Sequence, residues 1–148
     1  MVAIRTGSAG LNVSDIRRST AFYQRALNLE VIRASVDPDR PWVHLGQDGE
    51  VLLTLWQQSD ESFARRRAGL HHLSFEVADL PGLAEVETAL RAAGVVIRAG
   101  SAAPGGAAAS GQIFFHDPDG IRLEVFARQG PPVDWTLPPA CGFYDEQD

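Results

Sequence analysis

Four histidines, His44, His71, His72 and His116, one cysteine, Cys141, and nineteen carboxylate side chains hold most of the reactive chemistry this 148-residue chain can offer. Imidazoles transfer protons near neutral pH and bind divalent metals, and carboxylates suit hard cations and general-base work. No lysine is present, because all thirteen basic residues are arginine. That absence excludes lysine-dependent aldolases, pyridoxal-phosphate enzymes and P-loop nucleotide hydrolases, all of which need a lysine amine. A single cysteine allows neither an internal disulfide nor a multi-cysteine zinc module.

Position narrows the candidates. His44 follows Trp42 by two residues on an expected strand, so the two share a sheet face. A lone imidazole on an apolar strand is more often packed or hydrogen-bonded, and the competing role is that of ligand or base. His71 and His72 are neighbours in an expected strand, which turns their side chains to opposite faces. His116 directly precedes a turn, where a solvated or turn-bonding role fits. Glu124 sits in the apolar run 121–126, and a carboxylate in apolar surroundings tends toward a raised pKa, which suits a general base. Asp145, Glu146 and Asp148 read as an acidic, disordered end.

The elements that must position these residues occur twice. Setting Asp15 against Asp79 places Leu11 on Phe75, Val13 on Val77 and Ile16 on Leu80. Each segment alternates, ends at an aspartate and passes into a 3.6-residue apolar period, which predicts strand, N-cap and helix in both halves. Pro81 suits a first turn and Gly94 a helix stop. Asp48-Gly49 and Asp119-Gly120 each join apolar runs and predict hairpins, with further strands at 30–36 and 95–98. The fold class is therefore α+β, two tandem βαβββ modules at 4–57 and 70–126, a linker at 58–69 and a proline-rich tail at 127–148, all in one domain over 1–148. The stretch 99–111 is rich in glycine and alanine and reads as a flexible connection or, second, a lid.

The net charge of −6 argues against a nucleic-acid partner, which needs basic surface to displace counterions. Arg65, Arg66 and Arg67 read as solvated charges in the linker. No run approaches the ~18 apolar residues of a membrane span, and no signal peptide is evident, so the expected setting is cytoplasmic.

On these residues the chain resembles the vicinal oxygen chelate superfamily, which includes glyoxalase I, extradiol dioxygenases, fosfomycin resistance enzymes and bleomycin resistance proteins. The resemblance is carried by the paired modules and three motifs. These are Asn12-Val13-Ser14-Asp15 with Ser19 and Phe22-Tyr23, His71-His72-Leu73-Ser74-Phe75-Glu76-Val77, and Asp117-Pro118-Asp119-Gly120-Ile121-Arg122-Leu123-Glu124. It implies a half-barrel cleft built by the two modules, a homodimer, and an ion held by the first and last strands of each module. Carried over, His72 and Glu124 become metal ligands for a divalent ion such as Fe, Mn, Ni or Zn. Module one departs from the pattern, with Ser8 in place of a histidine and Thr54, or Leu53 when counted from the turn, opposite Glu124. The resemblance implies a metal-assisted enzyme, a lyase, isomerase or dioxygenase, acting on a small-molecule substrate with vicinal oxygens. The alternatives are a metal-free protein that sequesters a cationic drug, as bleomycin resistance proteins do, and a metal-free cyclase or isomerase using His72, Glu124 or His44 as acid and base.

Overall fold

The computed structural model describes residues 7–99 and 110–130. Cys141, the acidic end and most of the 99–111 stretch lie outside them. The chain divides into two compact units, 1–63 and 64–148.

In the first unit β1 (Ala9–Val13) leads into α1 (Ile16–Leu27), followed by β2 (Glu30–Ala34), β3 (Trp42–Gln47) and β4 (Glu50–Gln57). Their sheet has the order β1-β4-β3-β2, with β1 parallel to β4 and the other pairs antiparallel. Asp15 caps α1 as expected: its Oδ1 accepts from the backbone N–H of Arg17 and Arg18, both at 3.0 Å. The bond from Arg18, ahead of the opposing cost of burial, holds the Asp15 carboxyl below its ordinary range. Asn28 ends the helix in the left-handed region. The helix buries Phe22, Tyr23 and Ala26, and alternate strand residues Leu11, Val13, Leu45, Leu53 and Leu55 form the core with them. Each such leucine contributes about 1.5–3 kcal/mol by leaving water.

The second unit repeats the plan with β5 (Leu73–Asp79), α2 (Leu80–Ala92), β6 (Arg98–Ala99), β7 (Gln112–His116) and β8 (Arg122–Gln129), in the order β5-β8-β7-β6. Asp79 caps α2 by accepting from Gly82 N–H at 2.9 Å, and Pro81 lies in the first turn. Leu83 and Leu90 pack with Ile113, Phe115, Leu123 and Val125, all fully or almost fully buried. The Asp117-to-Gly120 turn is pinned by the Asp117 carboxylate, which accepts from Asp119 N–H at 2.9 Å and Ile121 N–H at 2.8 Å.

The strand expected at 95–98 starts late, because Gly94 adopts a φ of +74° and Val95 N–H bonds back to Leu90 carbonyl at 3.0 Å. The helix cap consumes those residues, and only Arg98 and Ala99 pair with β7. Similarly β2 stops at Ala34, and Ser35 turns its hydroxyl onto Asp37 carbonyl at 3.2 Å.

Candidate functional site

In each unit the last strand runs down the middle of its sheet, and this fixes what stands beside its central residue. Glu124 on β8 is flanked by Ser74 on β5 and Phe114 on β7. Thr54 on β4 is flanked in the same way by Gly10 on β1 and His44 on β3. Pairing therefore makes Thr54, not Leu53, the counterpart of Glu124, and Leu53 is a core residue. Counting from the turn misleads because β3 and β4 shift register between Leu45 and Gly46, leaving Leu52 as an extra residue. Ser8 and His72 each directly precede the first strand of their unit.

Glu124 is 9% exposed and has two polar side chains beside it, Ser74 and His72. Ser74 Oγ–H donates to its Oε2 at 2.6 Å, and His72 Nε2 lies 3.2 Å from the same oxygen. Burial pushes the carboxyl up, but His72 and the Ser74 hydroxyl outweigh it and hold Glu124 below its ordinary value. The sequence-based expectation of a raised Glu124 pKa is thereby reversed, because two hydrogen-bonding partners favour the ionised form more than burial disfavours it. An anion in this place is a ready cation ligand and a weak base.

The two histidines also depart from expectation. Both lie just before β5, where strand alternation does not yet apply, and their side chains do not diverge. Nδ1 of His71 and Nδ1 of His72 are 2.7 Å apart, with the rings edge to face. Burial, then the His72 and Arg122 charges, lower the His71 pKa. The ring of His72 further stands edge-on to Phe114, with centroids 6.5 Å apart. Ser74 and His71 were not foreseen as site residues. Ser74 becomes a neighbour of Glu124 only through the β5–β8 pairing.

His44 belongs to the other unit. Its Nδ1 is 2.8 Å from Thr54 Oγ1, and its ring lies 4.6 Å from that of Trp42, which in turn is 6.3 Å from Trp56. Thr54 thus does for His44 what Glu124 does for His72, with a neutral oxygen. His116 ends β7 opposite Arg122, next to the pinned turn. The structure brings His72 and Glu124 together and sets His44 among aromatic rings. A shallow depression of about 430 Å³ lies along α2, lined by Pro81, Ala84, Glu85, Thr88, Ala89 and Ala92, apart from these residues.

The donor pair suits a divalent ion in type and spacing. Imidazole nitrogen and carboxylate oxygen bind such ions at about 2.0–2.2 Å, so two adjacent donors stand roughly 3 Å apart. The 3.2 Å between His72 Nε2 and Glu124 Oε2 matches. A ligating histidine also has its second nitrogen held, and His71 holds that of His72. Among the described residues no group of three or more His, Cys, Asp and Glu side chains could hold a metal ion.

Comparison with known proteins agrees with the architecture. The sequence matches the Glyoxalase/Bleomycin resistance protein/Dioxygenase superfamily over residues 5–125. A glyoxylase/bleomycin resistance protein/dioxygenase domain from Frankia sp. EAN1pec is similar in structure, with a TM-score of 0.69 at 23% identity, covering 86% of this chain and 98% of that one. The fosfomycin resistance protein FosX from Listeria monocytogenes, complexed with Mn(II) and sulfate, gives 0.61 at 23% identity over 86% and 93% of the two chains. FosX from Mesorhizobium loti gives 0.61 at 17% identity over 85% and 92%. No curated protein matches the chain in sequence. Among the described residues no helix is long and apolar enough to cross a membrane. With two βαβββ units in tandem and a family match across most of its length, this chain belongs to the Glyoxalase/Bleomycin resistance protein/Dioxygenase superfamily.

Proposed function

We propose that the chain is a metal-assisted enzyme acting on a small molecule with vicinal oxygens, and that His72 and Glu124 are the protein ligands of its ion. The convergence of His72 Nε2 and Glu124 Oε2 to 3.2 Å carries this reading. The Mn(II) complex of a structurally similar fosfomycin resistance protein supports it. A bound divalent ion would supply Lewis acidity to the substrate's oxygens. Glu124, kept ionised by His72 and Ser74, offers an anionic donor at neutral pH. Ser74 donates to the carboxylate at Oε2, and Phe114 stands edge-on to the His72 ring. Two protein donors leave more positions for a chelating substrate and water than three would. His44, anchored at Nδ1 by Thr54, has its Nε2 for proton transfer. Glyoxalase-type isomerisation or lyase chemistry and extradiol cleavage are the reaction classes that fit such a chelate, in a cytoplasmic homodimer.

The test is elemental analysis of protein incubated with Fe, Mn, Ni and Zn salts. Stoichiometric metal in the wild type, lost in His72→Ala, is the expected result. Absence of bound metal, or binding that His72→Ala leaves unchanged, sinks the reading.

A second reading is favoured by Thr54 and Ser8, which contribute no metal ligand from the first unit: a metal-free protein that binds a cationic compound, consistent with the net charge of −6. Thermal stabilisation by cationic glycopeptides, indifferent to chelators and with the ligand recovered unchanged, would favour it over the enzyme.

A further inference from the structure

The first unit carries aromatic chemistry that the metal reading leaves unused. Leu45, Leu53 and Leu55 are buried in its core, so alternation puts Trp42, His44, Thr54 and Trp56 on the opposite face of the sheet. Pairing sorts that face into two rows. Asn12, Trp56 and Trp42 stand side by side in one, and Gly10, Thr54, His44 and Arg33 in the other, with Arg33 contributed by the outer strand β2. The rows are two residues apart, about 6.6 Å along the strands. The Trp42 ring lies 4.6 Å from that of His44 and 6.3 Å from that of Trp56, so the three rings form one continuous surface, and Trp56 is 40% exposed. At the β1 end Gly10 places no side chain over it: a Cβ there would meet only Trp56 Nε1, at 4.0 Å. Neither row holds a carboxylate, and Arg33 brings an exposed guanidinium.

A guanidinium beside an aromatic surface complements a flat ring that bears an anion. The ring packs on the indoles, and the carboxylate takes two parallel N–H···O bonds from the arginine. The net charge of −6 opposes an anion only weakly, because exposed charges beyond about 8 Å are screened at physiological salt, and Arg33 stands next to the rings. We propose that this face of the first unit's sheet binds a planar aromatic carboxylate, with its ring against Trp42 and Trp56 and its carboxylate on the Arg33 guanidinium. The row spacing of about 6.6 Å suits a carboxylate attached to the ring directly or through one carbon. The site needs no metal ion, and it takes an anion where the second reading above takes a cation.

Indole ¹⁵N–¹H spectra of the full chain, titrated with 1-naphthoate in the presence of a chelator so that no ion can hold the carboxylate, test the proposal. Saturable shifts of the Trp42 and Trp56 signals are expected, the two being assigned from Trp42→Phe and Trp56→Phe. Affinity should fall about tenfold or more in Arg33→Ala and about threefold or more in Trp56→Ala. Arg33 and Trp56 are both exposed, so these variants should keep the fold, which unchanged backbone signals verify. 1-Naphthylmethylamine, the same ring with the opposite charge, and cyclohexanecarboxylate, the same anion without a flat ring, should each bind about tenfold more weakly or less. Naphthoate that leaves Trp42 and Trp56 unshifted, or an affinity indifferent to Arg33→Ala, overturns the proposal. Preference for the amine overturns it in favour of the cationic ligand. With the chelator present throughout, failure here leaves the metal reading of His72 and Glu124 standing on its own test.

Discussion

Glu124 shows how a few neighbours decide the state of a buried group. Its burial alone favours the neutral acid, and the Ser74 hydroxyl and the His72 imidazole reverse that preference. Since the folded-state pKa lies below the ordinary value of 4.5, the unfolded chain binds the proton more tightly. Glu124 therefore adds stability above that ordinary value, and the contribution drains away as pH falls through the lower folded value. Urea titrations of wild type and Glu124→Gln at about pH 7 and about pH 3.5 check this, because the substitution should flatten the part of the pH dependence that Glu124 supplies. A variant with the wild-type pH slope would show that the carboxylate is not held down. At this scale His72 and Glu124 were legible through the motifs around them. The sign of the Glu124 shift was not, because it depends on an oxygen fifty residues away in sequence and a ring at the strand's edge. The meeting of His71 and His72 was hidden for a different reason: alternation holds only inside a strand, and β5 begins two residues too late for the pair.

Caps, hairpins and helices follow closely from local chemistry. Asp15 and Asp79 cap helices as their positions imply, and both Asp-Gly turns close hairpins. The misjudged stretches are those where one element takes backbone from the next, as the α2 cap takes Gly94 and Val95. The irregularity beside Gly46 belongs to this class, since a register shift depends on the partner strand rather than on local sequence. A Cβ at Gly46 would lie 1.8 Å from the Glu50 carbonyl oxygen, so the backbones can pass only because the residue is glycine. Gly46→Ala is expected to destabilise the fold by at least about 2 kcal/mol, through forced backbone movement. Gly49→Ala should cost less, because Gly49 has a φ of +81° but nothing within 4 Å of an added Cβ. Thermal melts of the two variants give the order directly, and an equal or inverted order would mean that β3 and β4 do not approach this closely.

At the scale of the molecule, the repeat is the dominant fact. Residue pairing reproduces it position by position, so that Gly10, Thr54 and His44 in one unit correspond to Ser74, Glu124 and Phe114 in the other. Leu52 and Trp56 leave apolar surface open on one face of the first unit's sheet. Light scattering coupled to size exclusion is expected to give about twice the 16.0 kDa chain mass. A monomer at micromolar concentration would remove the homodimer from the functional reading. The two copies share a scaffold but not a set of reactive groups, and that asymmetry bears on robustness. Duplication usually leaves a spare, yet here Ser8 and Thr54 occupy the places of His72 and Glu124. A lesion at either of the latter would find no like group at the matching position of the first unit.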